Sequence, residues 1–233
     1  EISICDDESF HPQICLVGIE PVSNFLLLEQ YEAHRDADTW NRCLDERLAG
    51  LPVTVRQVTS DQAKAILTHT EIHLGAHHSP DLFHVQQDTV RATSLALASQ
   101  TGRAEQELEK AQRKTVDLGQ QGEACREQCP DSSHGPLLQQ QRQAAEADEA
   151  AARARVAECR ERQQRATTAR QGLGRDYHPF ELGTGRPLTD QEVASRLAGH
   201  FDTLEQVAAE AGLSSHARDK LAKARRVLDG LQA

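Results

Sequence analysis

The chain predicts an α/β fold: a mixed sheet with helices, then a long helical hairpin, then a C-terminal pair of helices. Three observations carry this. Residues 1 to about 90 alternate short apolar or β-branched runs with Gly- and Pro-marked turns. Residues from about 86 to 172 are dominated by Ala, Gln, Glu and Arg, which are good helix formers. The remainder shows helix start and stop residues in close succession. The expected divisions are 1–88, 89–174 and 175–233.

The elements follow in order. Ile2 to Phe10 reads as a strand. Gln13 to Ile19 is a second, with Cys15, Val17 and Ile19 on one face. Pro21 to Asn24 turns the chain into a third strand, Phe25 to Tyr31. A helix follows, with Asp38 as N-cap, and Trp40, Cys43, Leu44, Arg47 and Leu48 on a shared face until Gly50. Val53 to Thr59 is a fourth strand, rich in β-branched residues. A helix runs from Ser60 or Asp61 to Leu74, and Pro80 to Val85 is a fifth strand. A three-strand meander, helix, strand, helix, strand is the order of an RNase H-like sheet. In that order the first and fourth strands are neighbours.

The helix-forming stretch breaks once, at residues 129–136, which predicts an antiparallel hairpin. Its seam is poor in Leu: Leu108, Ala111, Thr115 and Leu118 face small residues such as Ala144, Ala147 and Ala151. Weak packing is therefore expected. Further on, Thr189 to Glu192 forms a capping-box pattern, and a helix runs to about Ala211. Gly212 breaks it, and Ser214 or Ser215 caps the last helix, which extends to about Leu231. The segment Leu204 to Ser214, followed by a helix with Arg218, Lys220, Lys223, Arg225 and Arg226, imitates a helix-turn-helix.

Composition sets bounds. The formal net charge is -10, and aromatic residues are only 3%. The first hundred residues hold 6 Lys and Arg against 15 Asp and Glu, a balance of 6 − 15 = −9. An acidic front half is awkward for nucleic acid unless bound metal offsets it. No Met occurs, even at position 1, so the chain reads as an internal fragment. No apolar run approaches the ~18 residues that span a bilayer. With no signal-peptide pattern and six cysteines read as reduced, a cytoplasmic protein with no membrane partner is expected.

The chemistry lies in two aspartates at strand ends, Asp7 and Asp61. Carboxylates on neighbouring strand ends can hold a hard cation such as Mg²⁺ or Mn²⁺ between them. Asp6 competes with Asp7, because alternation lets only one face the metal. Glu20 is a weaker candidate. His77 and His78 are a loop pair, and Cys125, Cys129 and His134 have a thin zinc-like spacing. Hairpin pairing leaves open an approach of Cys159 to Cys125, with reduced thiols as the default.

Four stretches carry a resemblance: Asp7-Glu8-Ser9-Phe10, residues 19–25, Val58 to Lys64, and His78 to Gln86. Tyr177 to Leu182 and the tail from Leu213 to Leu228 join them. Together they resemble a bacterial insertion-sequence transposase of the DDE type, within an uncharacterised transposase-like family. The resemblance implies an RNase H-like catalytic core with a helical insertion, acting on transposon ends and target DNA as a homo-oligomer. It maps the first and second catalytic aspartates onto Asp7 and Asp61, with Glu8 pointing away. It places Asp81 and His84 beside the site as accessory residues. The third acidic residue is a glutamate in a Ser- and Asn-rich motif, and no such motif occurs here. The fragment alone is therefore expected to be inactive. The rival expectations are an RNase H-like metal-dependent nuclease without strand transfer, and an inactive remnant acting through its hairpin.

Overall fold

The computed structural model of the chain describes residues 1–10, 12–61, 63–128, 134–178 and 180–229. The strands are β1 (Ile2–Phe10), β2 (Ile14–Glu20), β3 (Phe25–Glu32), β4 (Val55–Ser60) and β5 (His77–Pro80). The helices are α1 (Ala37–Leu48), α2 (Lys64–Thr68), α3 (Leu82–Gln128), α4 (His134–Asp176), α5 (Asp190–Glu210) and α6 (Ser215–Asp229). A π-helical turn, His69–His73, continues α2. The chain divides into two units, Glu1–Val85 with Arg226–Ala233, and Gln86–Arg225.

The first unit is a five-stranded sheet in the order β3-β2-β1-β4-β5. The first three strands form an antiparallel meander. β4 pairs parallel with β1, and β5 parallel with β4. One sheet face is apolar because every second residue is: Ile4, Leu16, Leu28 and Val58 are fully buried there. α1 covers it with Trp40, Cys43 and Leu44, and α2 adds Ile66. Asp36, not Asp38, caps α1: its Oδ1 accepts from Thr39 N at 2.9 Å. Asp38 instead lies in the first turn, where a carboxylate complements the helix dipole.

The fifth strand also differs from expectation. It occupies His77–Pro80, and Leu82 already starts α3. The Asp81 carboxylate explains this, since its Oδ1 accepts from Phe83 N at 2.8 Å and stabilises a helix start there. Leu82 to Val85, apolar in part, is thereby helical rather than extended.

Asp6 lies on the buried face, 3% exposed, opposite Gly18 of β2. A Cβ on Gly18 would come within 3.0 Å of Asp6 Oδ1, so only glycine leaves the carboxyl its space. Neither Asp6 oxygen has a hydrogen-bond partner among the described residues. Burial pushes this carboxyl up to about 7. His69 is fully buried as well, with Nδ1 2.7 Å from Asn41 Oδ1 and Nε2 unpartnered. Burial, followed by His73, lowers its pKa to about 4.

The second unit contains the hairpin. Arg155 pairs with Glu107 at 2.8 Å, Lys114 with Asp148 at 3.3 Å, and Thr101 Oγ1 donates to Gln163 Oε1 at 2.9 Å. These pairs fix an antiparallel register. Its small core joins Ala104 and Leu108 to Val156 and Cys159. Cys159 therefore sits opposite residues near 104, far along α3 from Cys125, and the two thiols do not approach each other. Both are free. Cys129, part of the zinc-like spacing, lies outside the described residues.

α4 and α5 cross closely. A Cβ at Gly172 of α4 would collide with the His200 imidazole of α5. His200 Nε2 in turn lies 2.7 Å from Asp176 Oδ2. The capping box at Thr189 and Glu192 is formed. No helix among the described residues is long and apolar enough to cross a membrane.

Two predictions arise. Asp6 has a folded pKa above its unfolded value, so its contribution to stability falls as pH rises from about 4 to 7. His69 acts oppositely over about pH 6.5 to 4. In urea unfolding followed by Trp40, the only Trp and fully buried, Asp6→Asn should gain on the parent as pH rises from 4 to 7. The gain is bounded by about 1.4 kcal/mol per pH unit. A pH-independent gap between the two proteins would contradict the burial account. Separately, Gly172→Ala should destabilise the second unit by about 1–3 kcal/mol through overpacking against His200, read by thermal loss of helical circular dichroism.

Candidate functional site

The opposite face of the sheet differs in character from the core. Cys5 pairs across β2 with Ile19, Asp7 with Val17, and Ser9 with Cys15. Strand alternation sends Cys5, Asp7 and Ser9 away from α1, and Asp6 and Glu8 toward it. Glu8 is held on the α1 side: its Oε2 accepts from Arg35 at 2.7 Å, and its Oε1 from Trp40 Nε1 at 3.3 Å. Asp7 is exposed, and its Oδ1 accepts only from Glu8 N, at 2.8 Å.

Parallel pairing brings the second aspartate alongside. The last matched pair of β1 and β4 is Cys5 with Thr59. Asp7 and Asp61 each lie two residues further on: Asp7 within β1, which continues to Phe10, and Asp61 just past the end of β4. Neighbouring strands run about 4.8 Å apart. Asp61 is exposed, and its Oδ1 accepts from Ala63 N at 2.9 Å. The other carboxylate oxygen has no protein donor among the described residues.

β5 extends the row. Ser60 pairs with Pro80, and Asp81 N donates to Ser60 O at 2.8 Å. Asp81 thus follows the end of β5, beside the end of β4. It lines a depression of about 360 Å³ with Val17, Ile19, Thr59 and the β1 segment from Cys5 to Ser9. Asp61 is not among the lining residues. His84, one turn into α3, places Nε2 3.6 Å from Asp81 Oδ2. The depression lies along β1 and β2, with Thr59 of β4 and Asp81 at its border.

The electrostatics match the crowding of acids. Burial raises the Cys5 thiol, and Asp6, Asp81 and Glu20 add to the effect. Cys5 is therefore a protonated, apolar wall rather than a nucleophile. Glu20 turns back on its own loop: Ser23 Oγ and the Ser23 and Val22 amides donate to it and hold it below the usual carboxylate range. It caps the β2–β3 turn and gives its oxygens to that task.

The histidine pair behaves as structure. His78 Nε2 lies 2.9 Å from Ser60 Oγ, and burial lowers its pKa. Among the described residues no group of three or more His, Cys, Asp or Glu is arranged to hold a metal ion. The carboxylates of Asp7 and Asp81, which both line the depression, offer hard oxygen donors of the kind that suit Mg²⁺ or Mn²⁺ rather than zinc. What sequence reasoning underweighted is Asp81. Its place beside β4 follows from β5 starting three residues earlier than expected, a shift hidden by the polar run His77-His78-Ser79.

No family model, curated protein or solved structure matches this chain.

A prediction separates the two sheet faces. Glu8→Gln weakens the Arg35 and Trp40 contacts and should cost about 1 kcal/mol of stability by urea unfolding. Because Glu8 faces α1, the same change should leave calorimetric Mg²⁺ binding unaltered.

Proposed function

We propose that this chain carries the catalytic face of a DDE-type transposase, which cuts DNA strands and joins the freed 3′ ends to target DNA in the intact protein. The observation that carries the reading is the Cys5–Thr59 register, because Asp7 and Asp61 each follow that matched pair by two residues along adjacent parallel strands. The strand order β3-β2-β1-β4-β5, in which β2 alone runs against the other four strands, supports it as the order of an RNase H-like sheet. The long helical segment after β5 agrees with the helical insertion the resemblance implies.

In this reading Asp7 and Asp61 hold Mg²⁺ or Mn²⁺. The bound cation would make water a better nucleophile and neutralise charge on the phosphate. The protein's part is positioning. In this reading the β1–β4 ladder would set the two carboxylates on adjacent strands, with one Asp61 oxygen accepting from the Ala63 amide. Asp81 adds a third negative charge beside β4, where His84 sits close enough to orient it. Cys5, Val17 and Ile19 form the apolar part of the depression's lining, and Asp7 and Asp81 are carboxylates within it.

The test uses the intact protein with DNA carrying the element's ends. Asp7→Asn and Asp61→Asn should each lower strand cleavage by at least about a hundredfold, with Trp40 fluorescence unchanged. Cleavage at the parental rate in either variant contradicts the assignment. Joined products identify strand transfer; cut products alone identify a nuclease on the same face.

A further inference from the structure

We propose that the α5–α6 pair is a helix-turn-helix that binds duplex DNA through the outward face of α6. The turn has the build this requires. α5 closes in a Schellman arrangement, with Gly212 N donating to Ala209 O and Leu213 N to Ala208 O. Gly212 has φ +59°, the left-handed region that glycine enters without strain. Ser214 then starts the next helix, its Oγ accepting from Ala217 N at 3.2 Å. Only four residues, 211–214, separate two helices of 21 and 15 residues.

The burial pattern also fits. Leu204, Val207, Ala208, Leu213, Ala217 and Leu221 are all buried. Ala208, fully buried beside the turn, is small enough to let the second helix approach. Arg225 of α6 donates to Asp202 at 2.7 Å and Glu205 at 2.8 Å on α5, which ties the two helices together.

The opposite face of α6 is cationic and unengaged. His216, Arg218 and Lys223 are exposed, and Lys220 is partly so. None of Arg218, Lys220 and Lys223 has an ion-pair partner among the described residues, in a unit where most other Arg side chains do. Asp219 is the lone acid between them. The charge chemistry selects a polyanion, and the helix-turn-helix form selects a duplex, whose major groove admits a helix. The net charge of -10 does not oppose this at the surface of α6, because charges beyond about 10 Å are screened at ordinary salt. The inference is separate from the strand-end carboxylates and needs no metal.

The test is fluorescence anisotropy of labelled duplex DNA titrated with the full chain in EDTA, which removes any metal-held contact. Binding should weaken steeply between about 50 and 200 mM salt. The variant Arg218→Gln/Lys220→Gln/Lys223→Gln should bind at least about tenfold more weakly, with the log–log salt slope reduced by about one per cation removed. Its helical circular dichroism should be unchanged, and single Lys223→Gln should show about a third of the slope change. Absence of binding by the parent chain overturns the proposal, as does an unchanged slope in the variants. Equal affinity for single-stranded RNA also overturns it, since that would mark a general polyanion surface.

Discussion

The parallel pairing of β1 with β4 is the constraint on which the rest depends. Had Val55–Ser60 paired antiparallel, its end would lie at the opposite edge from Asp7. The register is held from the core side. Ile4 and Val58 are adjacent partners, both fully buried against Trp40 and Leu44, and a one-residue slip would send that set to solvent. Hydrophobic burial on one face therefore fixes where the acids stand on the other.

The same alternation makes Asp6 costly and explains its neighbours. A residue in phase with Ile4 must face the core, and Asp6 is in phase. The chain accommodates it by giving β2 a glycine opposite, which provides room but no donor. Two consecutive aspartates thus meet two environments two atoms of backbone apart. Asp7 keeps a solvent-facing carboxylate, while its predecessor is driven toward the neutral form.

Much of this was legible in the sequence. The meander, the alternation that separates Asp7 from Glu8, the helical hairpin and the capping box at Thr189 follow from period, turn residues and caps. The misses have identifiable causes. Asp36 and Asp38 are both good caps, and the choice is made by which one the backbone leaves extended. The π-helical turn at His69 follows from the packing of His69 against Trp40, 6.1 Å between rings, and periodicity carries no trace of it. The position of β5 depends on ladder bonds to Thr59 and Ser60, with polar side chains that give no β pattern. Hairpin register, which separates Cys125 from Cys159, is set by charged pairs spread along both helices rather than by a hydrophobic repeat.

The central claim is that two carboxylates distant in sequence serve one cation. Crystals soaked in MnCl₂ and measured at the manganese absorption edge test it directly. The account predicts an anomalous peak in contact with both Asp7 and Asp61. Manganese bound elsewhere, with those side chains directed to separate surfaces, would contradict it.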